Sequence, residues 1–426
     1  MRNAAPIVAL ILALGLCSGS GYAAGEDTPA IRKIEQARKA IAAKPAQAEP
    51  YNELAQALAG RARETGDTGY YVQAQQAIDQ AVRLSPDNLD SEKASIRVLL
   101  GQQEFGQALE RARALNKKVP DDVLVYGFIV DAASETGLYA EAERAVQWML
   151  DLRSGNIAGL MRAAYMREMF GDVDGATELM QAALQRLPPH ETEERAWTMN
   201  RIAHLRLAAG KPAEAEPFAR EALALFPGYH YALGTLASIK LAQNQPTEAL
   251  ALERQHYQTA PNAGNLYSLA QALRRSGRAQ EARNTFAEFE KKALSKSGDA
   301  DNSNRALVHY YVDVARKPTQ ALRVATLELA RRRDVLALDA HAWALYANGN
   351  YAAARRQLDS ALAVGIRDAG MLYHAGAIAS KLKDRKSAAR YLQQSLALAP
   401  DAAFAAPARK LLAQSNPGMQ QFALSR

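Results

Sequence analysis

The sequence has very little cysteine and few aromatic residues. Its 426 residues include a single cysteine, Cys17, which excludes a disulfide framework within the chain and a cluster of thiolate metal ligands. Aromatic residues make up only 7% of the chain, which argues against an all-β sandwich. Glycine and proline are not enriched, and the 48% hydrophobic and 23% charged residues are typical of a folded chain, so wholesale disorder is excluded.

Alanine is the residue that the sequence has in abundance, with 88 copies among 426 residues. Alanine has the highest helix propensity of all residues, and its small side chain lets two helices approach each other closely. The composition therefore predicts an all-α protein built from tightly packed helices.

Long hydrophobic runs are scarce, and the longest stands at the N-terminus. A run of ten apolar residues, Ile7 to Leu16, follows Arg2 and is well short of the ~20 residues that span a bilayer. Small residues at Gly21 and Ala23 fit a peptidase site, so we expect a signal peptide cleaved after about Ala23 and an exported, periplasmic protein. An uncleaved anchor is the alternative. Leu16 stands where a lipoprotein signal has a small residue before the cysteine, so lipidation of Cys17 is not expected.

One alanine recurs along most of the chain at intervals of 33 or 34 residues, with two intervals of 39. A large residue begins the first helix of many units and a small residue follows four positions later. Glycine or asparagine marks the turn, and proline often ends the second helix. The recurring alanines are Ala74, Ala108, Ala142, Ala176, Ala215, Ala249, Ala282, Ala321, Ala354 and Ala388.

This 34-residue pattern resembles the tetratricopeptide repeat family. The resemblance implies a right-handed superhelical solenoid of about ten antiparallel helix hairpins with a terminal capping helix, because one hairpin cannot bury its apolar face alone. We expect a signal peptide at 1–23, a lead helix within 24–50, units 1–7 at 51–294, a polar loop at 295–304, units 8–10 at 305–400, a capping helix at 401–414 and a tail at 415–426.

Three segments interrupt the period. About seven extra residues lie between Leu58 and Tyr71, which predicts a longer hairpin loop in the first unit. Two five-residue insertions fall around 188–195 and 294–304. Each of these two is either a hinge between parts of the array or an elongated surface loop.

The resemblance also implies that the first helix of each hairpin lines a concave groove and carries the contacts to a partner. Tyrosine and tryptophan suit such a groove because they combine an apolar body with a polar tip, although some of them could instead fill space between hairpins. The residues at the family's contact positions are Tyr165, Trp197, Asn200, His204, Tyr231, Tyr267, Gln271, Arg274, Tyr310, Asp313, Asp339, Trp343, Tyr346 and Tyr373.

The family's carboxylate-clamp variant is only half present. Lys93 and Arg97 occupy two of its positions in the second unit. The next unit has Gly127, Phe128 and Asp131 where asparagines are required, so capture of a chaperone C-terminus is not expected.

Catalytic constellations are missing from the sequence, which predicts a protein that is not an enzyme and needs no cofactor. The histidines offer an alternative. His309, His341 and His374 recur at spacings of 32 and 33, so stacked first helices could bring them together in a ladder that binds a metal. The stronger interpretation places them in the hairpin core, and we assign no metal ligand.

Positive charge is concentrated in one part of the chain. The formal net charge is +7, and the stretch from Arg274 to Arg333 holds fourteen Lys or Arg against seven Asp or Glu. Such a stretch could attract an acidic protein, an anionic polymer or lipid, or it could be a solvated face.

We therefore expect a non-enzymatic interaction scaffold in the bacterial cell envelope that binds a peptide or partner protein in its groove and binds no nucleic acid. The alternative is an accessory or metal-handling periplasmic protein.

Overall fold

The computed structural model describes residues 27–415, so the expected signal peptide, Cys17 and residues 416–426 of the expected tail lie outside the described residues. Within that range the chain is helical throughout and contains no β-strand. The helices are α1 Pro29–Ala43, α2 Glu49–Thr65, α3 Gly69–Leu84, α4 Leu89–Gly101, α5 Phe105–Lys118, α6 Val123–Glu135, α7 Tyr139–Leu152, α8 Ile157–Met169, α9 Val173–Arg186, α10 Thr192–Ala208, α11 Pro212–Leu225, α12 His230–Ala242, α13 Pro246–Thr259, α14 Ala263–Arg275, α15 Ala279–Ser295, α16 Asn304–His309, α17 Pro318–Leu329, α18 Val335–Ala347, α19 Tyr351–Leu362, α20 Ala369–Lys381, α21 Arg385–Leu398 and α22 Ala405–Ser415.

The helices from α2 to α21 pair into ten consecutive hairpins, with α1 before them and α22 after them. The recurring alanine lies on the second helix of each hairpin, and all ten copies are at most 3% exposed. Burial of this small residue lets the two backbones pack closely. The predicted all-α solenoid of about ten hairpins is thus confirmed. In the eighth unit, α16 continues into a single π-helical turn, Tyr310–Val314.

Many of these helices begin with a residue whose side chain accepts a hydrogen bond from the first turn. Asp122 accepts hydrogen bonds from the backbone N–H of Leu124 at 2.9 Å and of Val125 at 3.3 Å, which satisfies two N–H groups that have no partner within α6. Asn156 and Asp334 act in the same way before α8 and α18.

The interruptions of the period lengthen helices. The first helices α4, α6, α8, α12 and α14 each have 13 residues, whereas α2 and α10 each have 17. Four residues make about one helical turn. The expected longer loop in the first unit is therefore wrong, because the extra residues extend α2 as far as Thr65 and leave a short connection before α3. Around 294–304, α15 is extended to Ser295 and a polar loop follows it.

The array coils back on itself, so that its second half lies against its first half. The turn at Gly137 contacts the backbone of Arg333, and the turn at Gly171 contacts Gly365. A Cβ atom at Gly171 would lie 2.4 Å from the carbonyl oxygen of Gly365, and both turn glycines have φ near +80°. Only glycine fits there. These contacts join residues almost 200 positions apart, which makes units 6–10 a second superhelical turn stacked on the first.

A shared core holds the two superhelical turns together. One cluster of buried apolar residues includes Phe128 and Met169 from the first turn and Val335, Leu358 and Met371 from the second. The hydroxyl of Tyr139 accepts a hydrogen bond from the backbone N–H of Val335 at 2.9 Å across the same boundary. The middle of the molecule is therefore closed by packing.

Candidate functional site

The inner side of the array has two clefts. The N-terminal cleft has a volume of about 730 Å³ and is lined by α1, α2, α4, α6, α8 and the start of α10, with Arg63, Tyr71, Arg97, Phe128, Arg162 and Glu194 among its residues. The central cleft has a volume of about 1110 Å³ and lies between the two superhelical turns, with Tyr71, His204, Tyr231, Thr235, Ser268 and Lys296 among its residues. Both volumes are large enough for a ligand of several residues or rings.

The two clefts meet at a contact between the two lengthened helices, which we call the Arg63–Glu193 junction. Arg63 is on the extra turn of α2 and Glu193 is on the extra turn of α10. The guanidinium Nε donates to Oε1 of Glu193 at 3.0 Å, and the hydroxyl of Tyr229 donates to the same carboxylate at 2.7 Å. Glu193 is 6% exposed, so its charge depends on these two donors.

His230 completes the junction as a neutral ring. Its Nε2 lies 3.0 Å from the carbonyl oxygen of Arg63 and donates to it. Burial, opposed by this hydrogen bond, lowers the pKa of His230 to about 4. Burial raises the pKa of Tyr229 well above its ordinary value, so the phenol keeps its proton and serves as a donor.

The N-terminal cleft contains three arginines, of which Arg63 and Arg162 are paired and Arg97 is not. Arg162 binds Asp131 through two hydrogen bonds, Nε–Oδ1 at 2.8 Å and Nη2–Oδ2 at 2.5 Å. Gly127 makes room for this guanidinium, because a Cβ atom there would lie 3.1 Å from Cζ of Arg162. Arg97 lies 5.8 Å above the Phe128 ring and has no hydrogen bond or ion pair with any other residue of 27–415.

The surroundings of Arg97 disfavour its positive charge. Burial lowers the pKa of its guanidinium, and repulsion from Arg63 and Arg162 lowers it further. Lys93, the other residue at a clamp position, is already engaged, since its Nζ lies 2.7 Å from Oδ2 of Asp122. Asp131 and Glu194 attract Arg97, but within the described part of the chain neither forms an ion pair or a hydrogen bond with it.

The residues predicted to line the groove differ widely in exposure. Exposed positions are His204, Tyr231 and Arg274. Half-buried positions are Tyr165, Trp197, Tyr267, Gln271, Asp313, Tyr346 and Tyr373. Buried positions are Asn200, Tyr310, Asp339 and Trp343. His204 and Tyr231 line the central cleft, whereas the buried four are packed between helices and are absent from its lining. Binding by any of the fourteen stays a prediction.

In units 8–10, several of these residues form hydrogen bonds or stack with one another or with His374. The indole N–H of Trp343 donates to Asp313 at 2.9 Å, and its ring stacks on His374 with centroids 4.1 Å apart. Nδ1 of His374 lies 2.8 Å from Asp339. Burial disfavours a charged His374, but the carboxylates of Asp339 and Asp313 outweigh it and raise the pKa of the imidazole. These contacts form a closed structural cluster.

The proposed histidine ladder is only partly assembled. His309 stacks on His374 with centroids 5.7 Å apart. His341 is two residues from both Asp339 and Trp343, and two residues correspond to about 200° around a helix, so its ring lies on the opposite side of α18. Across residues 27–415 there is no group of three or more His, Cys, Asp or Glu side chains arranged to hold a metal ion.

Part of the basic stretch is internal. The guanidinium of Arg332 lies 4.7 Å above the Phe105 ring and 3.6 Å from Glu135, both in the first superhelical turn, and the residue is 7% exposed. Lys292 and Lys296 of the same stretch line the central cleft. Some positive charges of this stretch therefore lie at the contact between the two superhelical turns, and others line the central cleft.

Sequence reasoning missed Arg63, Glu193 and the importance of Arg97. The signal that could have located the first two is the interruption of the period, because each stands on a helix that the extra residues lengthen. The third departure, around 294–304, supplies Ser295, Lys296 and Ser303 to the central cleft. Residues of the irregular segments thus line both clefts, together with regular helices such as α6 and α8.

An array of helix hairpins with binding clefts on its inner side defines a helical repeat protein. Models of the tetratricopeptide repeat match residues 206–255 and 369–402, which cover the fifth to sixth units and the tenth. The chain therefore contains tetratricopeptide repeats.

Three solved structures are similar to this chain. PilW, a widely conserved type IV pilus biogenesis factor, is 15% identical over 48% of this chain and 92% of its own, with a TM-score of 0.42. A human IFIT1 dimer with PPP-AAAA is 12% identical over 86% of this chain and 87% of its own, with a TM-score of 0.48. Yeast Tom70 is 12% identical over 86% of this chain and 96% of its own, with a TM-score of 0.37. No curated protein matches the sequence. In residues 27–415, no helix has the length and apolar character needed to cross a membrane.

Proposed function

We propose that this protein is an exported, non-enzymatic scaffold of the bacterial cell envelope that binds an acidic segment of a partner protein in the N-terminal cleft. Its tetratricopeptide repeats support a protein partner. The apolar run from Ile7 to Leu16 and the small residues at Gly21 and Ala23 support export. An exported protein does not meet intracellular nucleic acid.

The observation that carries the proposal is the unpaired Arg97. A carboxylate placed against this guanidinium would form two parallel hydrogen bonds and would remove the repulsion from Arg63 and Arg162. Glu194, also in the cleft, attracts Arg97 but makes no hydrogen bond with it. Asp131 attracts Arg97 as well, but its two oxygens bind Arg162, so a carboxylate of the partner would make the hydrogen bonds that Arg97 lacks.

Apolar surface lies next to the arginine. The half-buried Leu100 and Leu124 line the same cleft, so a partner segment with alternating acidic and apolar side chains has a place for both kinds. Such a segment gains affinity from burial of its apolar side chains and orientation from the carboxylate.

The binding test uses the chain without residues 1–23 and a fluorescein-labelled peptide of alternating Glu and Leu residues, followed by anisotropy. We expect Arg97→Gln to weaken binding about tenfold or more, because a desolvated charge pair is lost. The matched control is Arg144→Gln, which removes the same charge from an exposed position outside both clefts. Equal affinity of native and Arg97→Gln proteins would refute the site.

Photocrosslinking in cells identifies the natural partner. A benzoylphenylalanine at Leu124 should give an adduct with an envelope protein, and the adduct should disappear in the Arg97→Gln background. The same group at Trp148, which is 55% exposed and lines neither cleft, serves as the control. Adducts from Trp148 alone would contradict binding in the N-terminal cleft.

Export is tested separately by N-terminal sequencing of the protein from cell fractions. We expect a chain in the periplasmic fraction that begins near residue 24. A protein that retains Met1 and stays in the cytoplasmic fraction would contradict the envelope assignment, and it would leave the binding test of the N-terminal cleft unaffected.

A further inference from the structure

The central cleft has an unusual lining for a cleft of its size. Among the described residues that surround its 1110 Å³, Leu207 alone has a large aliphatic side chain. Ligand sites for drug-like molecules and for peptide side chains are mainly apolar. The other side chains of the lining are small, such as alanine, or carry hydroxyl, amide, imidazole, phenol or charged groups. The density of hydroxyl and amide groups points to a ligand that is itself rich in hydroxyl groups.

Each charged side chain of the cleft has a polar partner among the described residues, which for Lys292 is the backbone carbonyl oxygen of Pro261. Lys296 lies 3.0 Å from Asp301, and Glu253 lies 3.1 Å from His256. Arg63 is held by Glu193, and Asp67 accepts a hydrogen bond at 2.8 Å from the backbone N–H of Gly69. A charged ligand would have to break one of these pairs, so the cleft favours a neutral ligand.

Five hydroxyl groups of the lining make no hydrogen bond within residues 27–415. A hydroxyl can rotate to donate or to accept, so the same group can match either role of a ligand hydroxyl. These five residues are Thr68, Thr235, Thr259, Ser268 and Ser303.

Two tyrosines bring aromatic surface to the same place from the two superhelical turns. Tyr231 is 41% exposed, yet burial raises the pKa of its phenol, because the ring is accessible but lies deep in the concave surface. Burial and the neighbouring Tyr231 raise the pKa of Tyr71 to about 12. Tyr71 is held in place against the end of α4, since a Cβ atom at Gly101 would lie 2.2 Å from its Cε1.

We infer that the central cleft binds a neutral oligosaccharide. A sugar ring offers hydroxyls that donate and accept, which suits the five unpaired hydroxyls, and a C–H face that packs on a tyrosine ring. A peptide would need apolar pockets or a free charge, and the cleft offers little of either. The inference goes beyond the proposed scaffold function, because the site is separate from Arg97 and takes a different class of ligand.

The test titrates the chain without residues 1–23 with cellohexaose, maltohexaose and N-acetylchitohexaose, by calorimetry and ligand-observed NMR. We expect at least one hexasaccharide to bind. Tyr231→Ala should weaken that binding about tenfold, because one stacking surface is lost. Thr235→Val, which removes a hydroxyl and keeps the side-chain shape, should weaken it by a smaller factor.

Two controls separate this site from others. Trp148→Ala removes an exposed aromatic outside both clefts and should leave sugar binding unchanged, and Arg97→Gln should leave it unchanged too. The inference is overturned if none of the three hexasaccharides binds at about 10 mM, a very weak affinity. It is also overturned if Tyr231→Ala and Thr235→Val both bind as well as the native chain. Loss of peptide binding with intact sugar binding would instead concern the scaffold proposal alone.

Discussion

The third and fourth units use the helix hairpin differently from the first and fifth. In the third and fourth units the first helices α6 and α8 have 13 residues each, and their turns at Gly137 and Gly171 rest on the second superhelical turn. In the first and fifth units α2 and α10 have 17 residues each. The turns of these units, at Gly66 and Gly210, also approach the second superhelical turn, but the two long helices meet in the Arg63–Glu193 junction with a cleft on either side. All four units therefore pack against the second superhelical turn, and the irregular units add the junction at which the two clefts meet.

The largest change in unfolding free energy is expected for a substitution at Gly171, where a turn packs against the second superhelical turn. Gly171→Ala places a Cβ atom 2.4 Å from the backbone of Gly365 at φ +84°. We expect a loss of about 3 kcal/mol in unfolding free energy, from the left-handed backbone and from overpacking. Urea unfolding measures it. The control Gly349→Ala has φ +80° and open space, so only about 1 kcal/mol should be lost. Equal losses would mean that the turns do not touch.

A buried hydrogen bond between the two superhelical turns should give the next largest effect. Tyr139→Phe removes the acceptor of the buried Val335 N–H and should cost about 1.5 kcal/mol in unfolding free energy. Tyr51→Phe removes an exposed hydrogen bond from Tyr51 to the carbonyl of Pro45, and should cost less than about 0.5 kcal/mol. Two similar values would remove the distinction between buried and exposed contacts.

The Arg63–Glu193 junction should make the free energy of unfolding depend on pH, because it contains the buried His230. Burial lowers the pKa of His230 from 6.5 to about 4, so the unfolded chain takes up a proton first as the pH falls. Stability is full above the unfolded pKa and is lost as the pH falls toward the folded pKa. Between about pH 7 and about pH 5 we expect the native chain to lose 1–2 kcal/mol more than His230→Gln. Parallel pH profiles would show that His230 is not buried in the junction.

The smallest expected effect is a gain in stability. Arg97→Met removes a cation that burial and two other arginines disfavour, so the unfolding free energy should rise by about 0.5 kcal/mol while binding of the acidic peptide is lost. The exposed control Arg144→Met should change stability by less than about 0.3 kcal/mol. A clear loss of stability in Arg97→Met would indicate that Arg97 has a structural partner.

Most of the fold could be predicted from the sequence. The recurring alanines fixed the ten hairpins, because burial of a small residue at each helix crossing leaves a periodic trace. The contact between turns leaves no such trace, since Gly137 looks the same whether its turn is free or rests on Arg333. The position of a residue almost 200 places away depends on small rotations summed over several units.

The candidate site was harder to predict. Family contact positions led to Trp343 and Asp339, which are engaged with Asp313 and His374, and the exposed groups lie elsewhere. Position on a first helix does not decide exposure, because the second superhelical turn covers part of the inner surface. Arg97 was noticed in the sequence, but its lack of a partner depends on Lys93 and Arg162 taking the nearby carboxylates.

The central claim is that the interruptions of the repeat meet where the two clefts join, and a double-mutant cycle on Arg63 and Glu193 tests it most directly. Arg63→Met, Glu193→Gln and the double variant are unfolded in urea at about pH 7. If α2 and α10 meet as described, the coupling free energy should be about 1 kcal/mol, because Glu193 is buried while its charged partner Arg63 is partly exposed to solvent. A coupling below about 0.3 kcal/mol, the level of residues that do not touch, would contradict it.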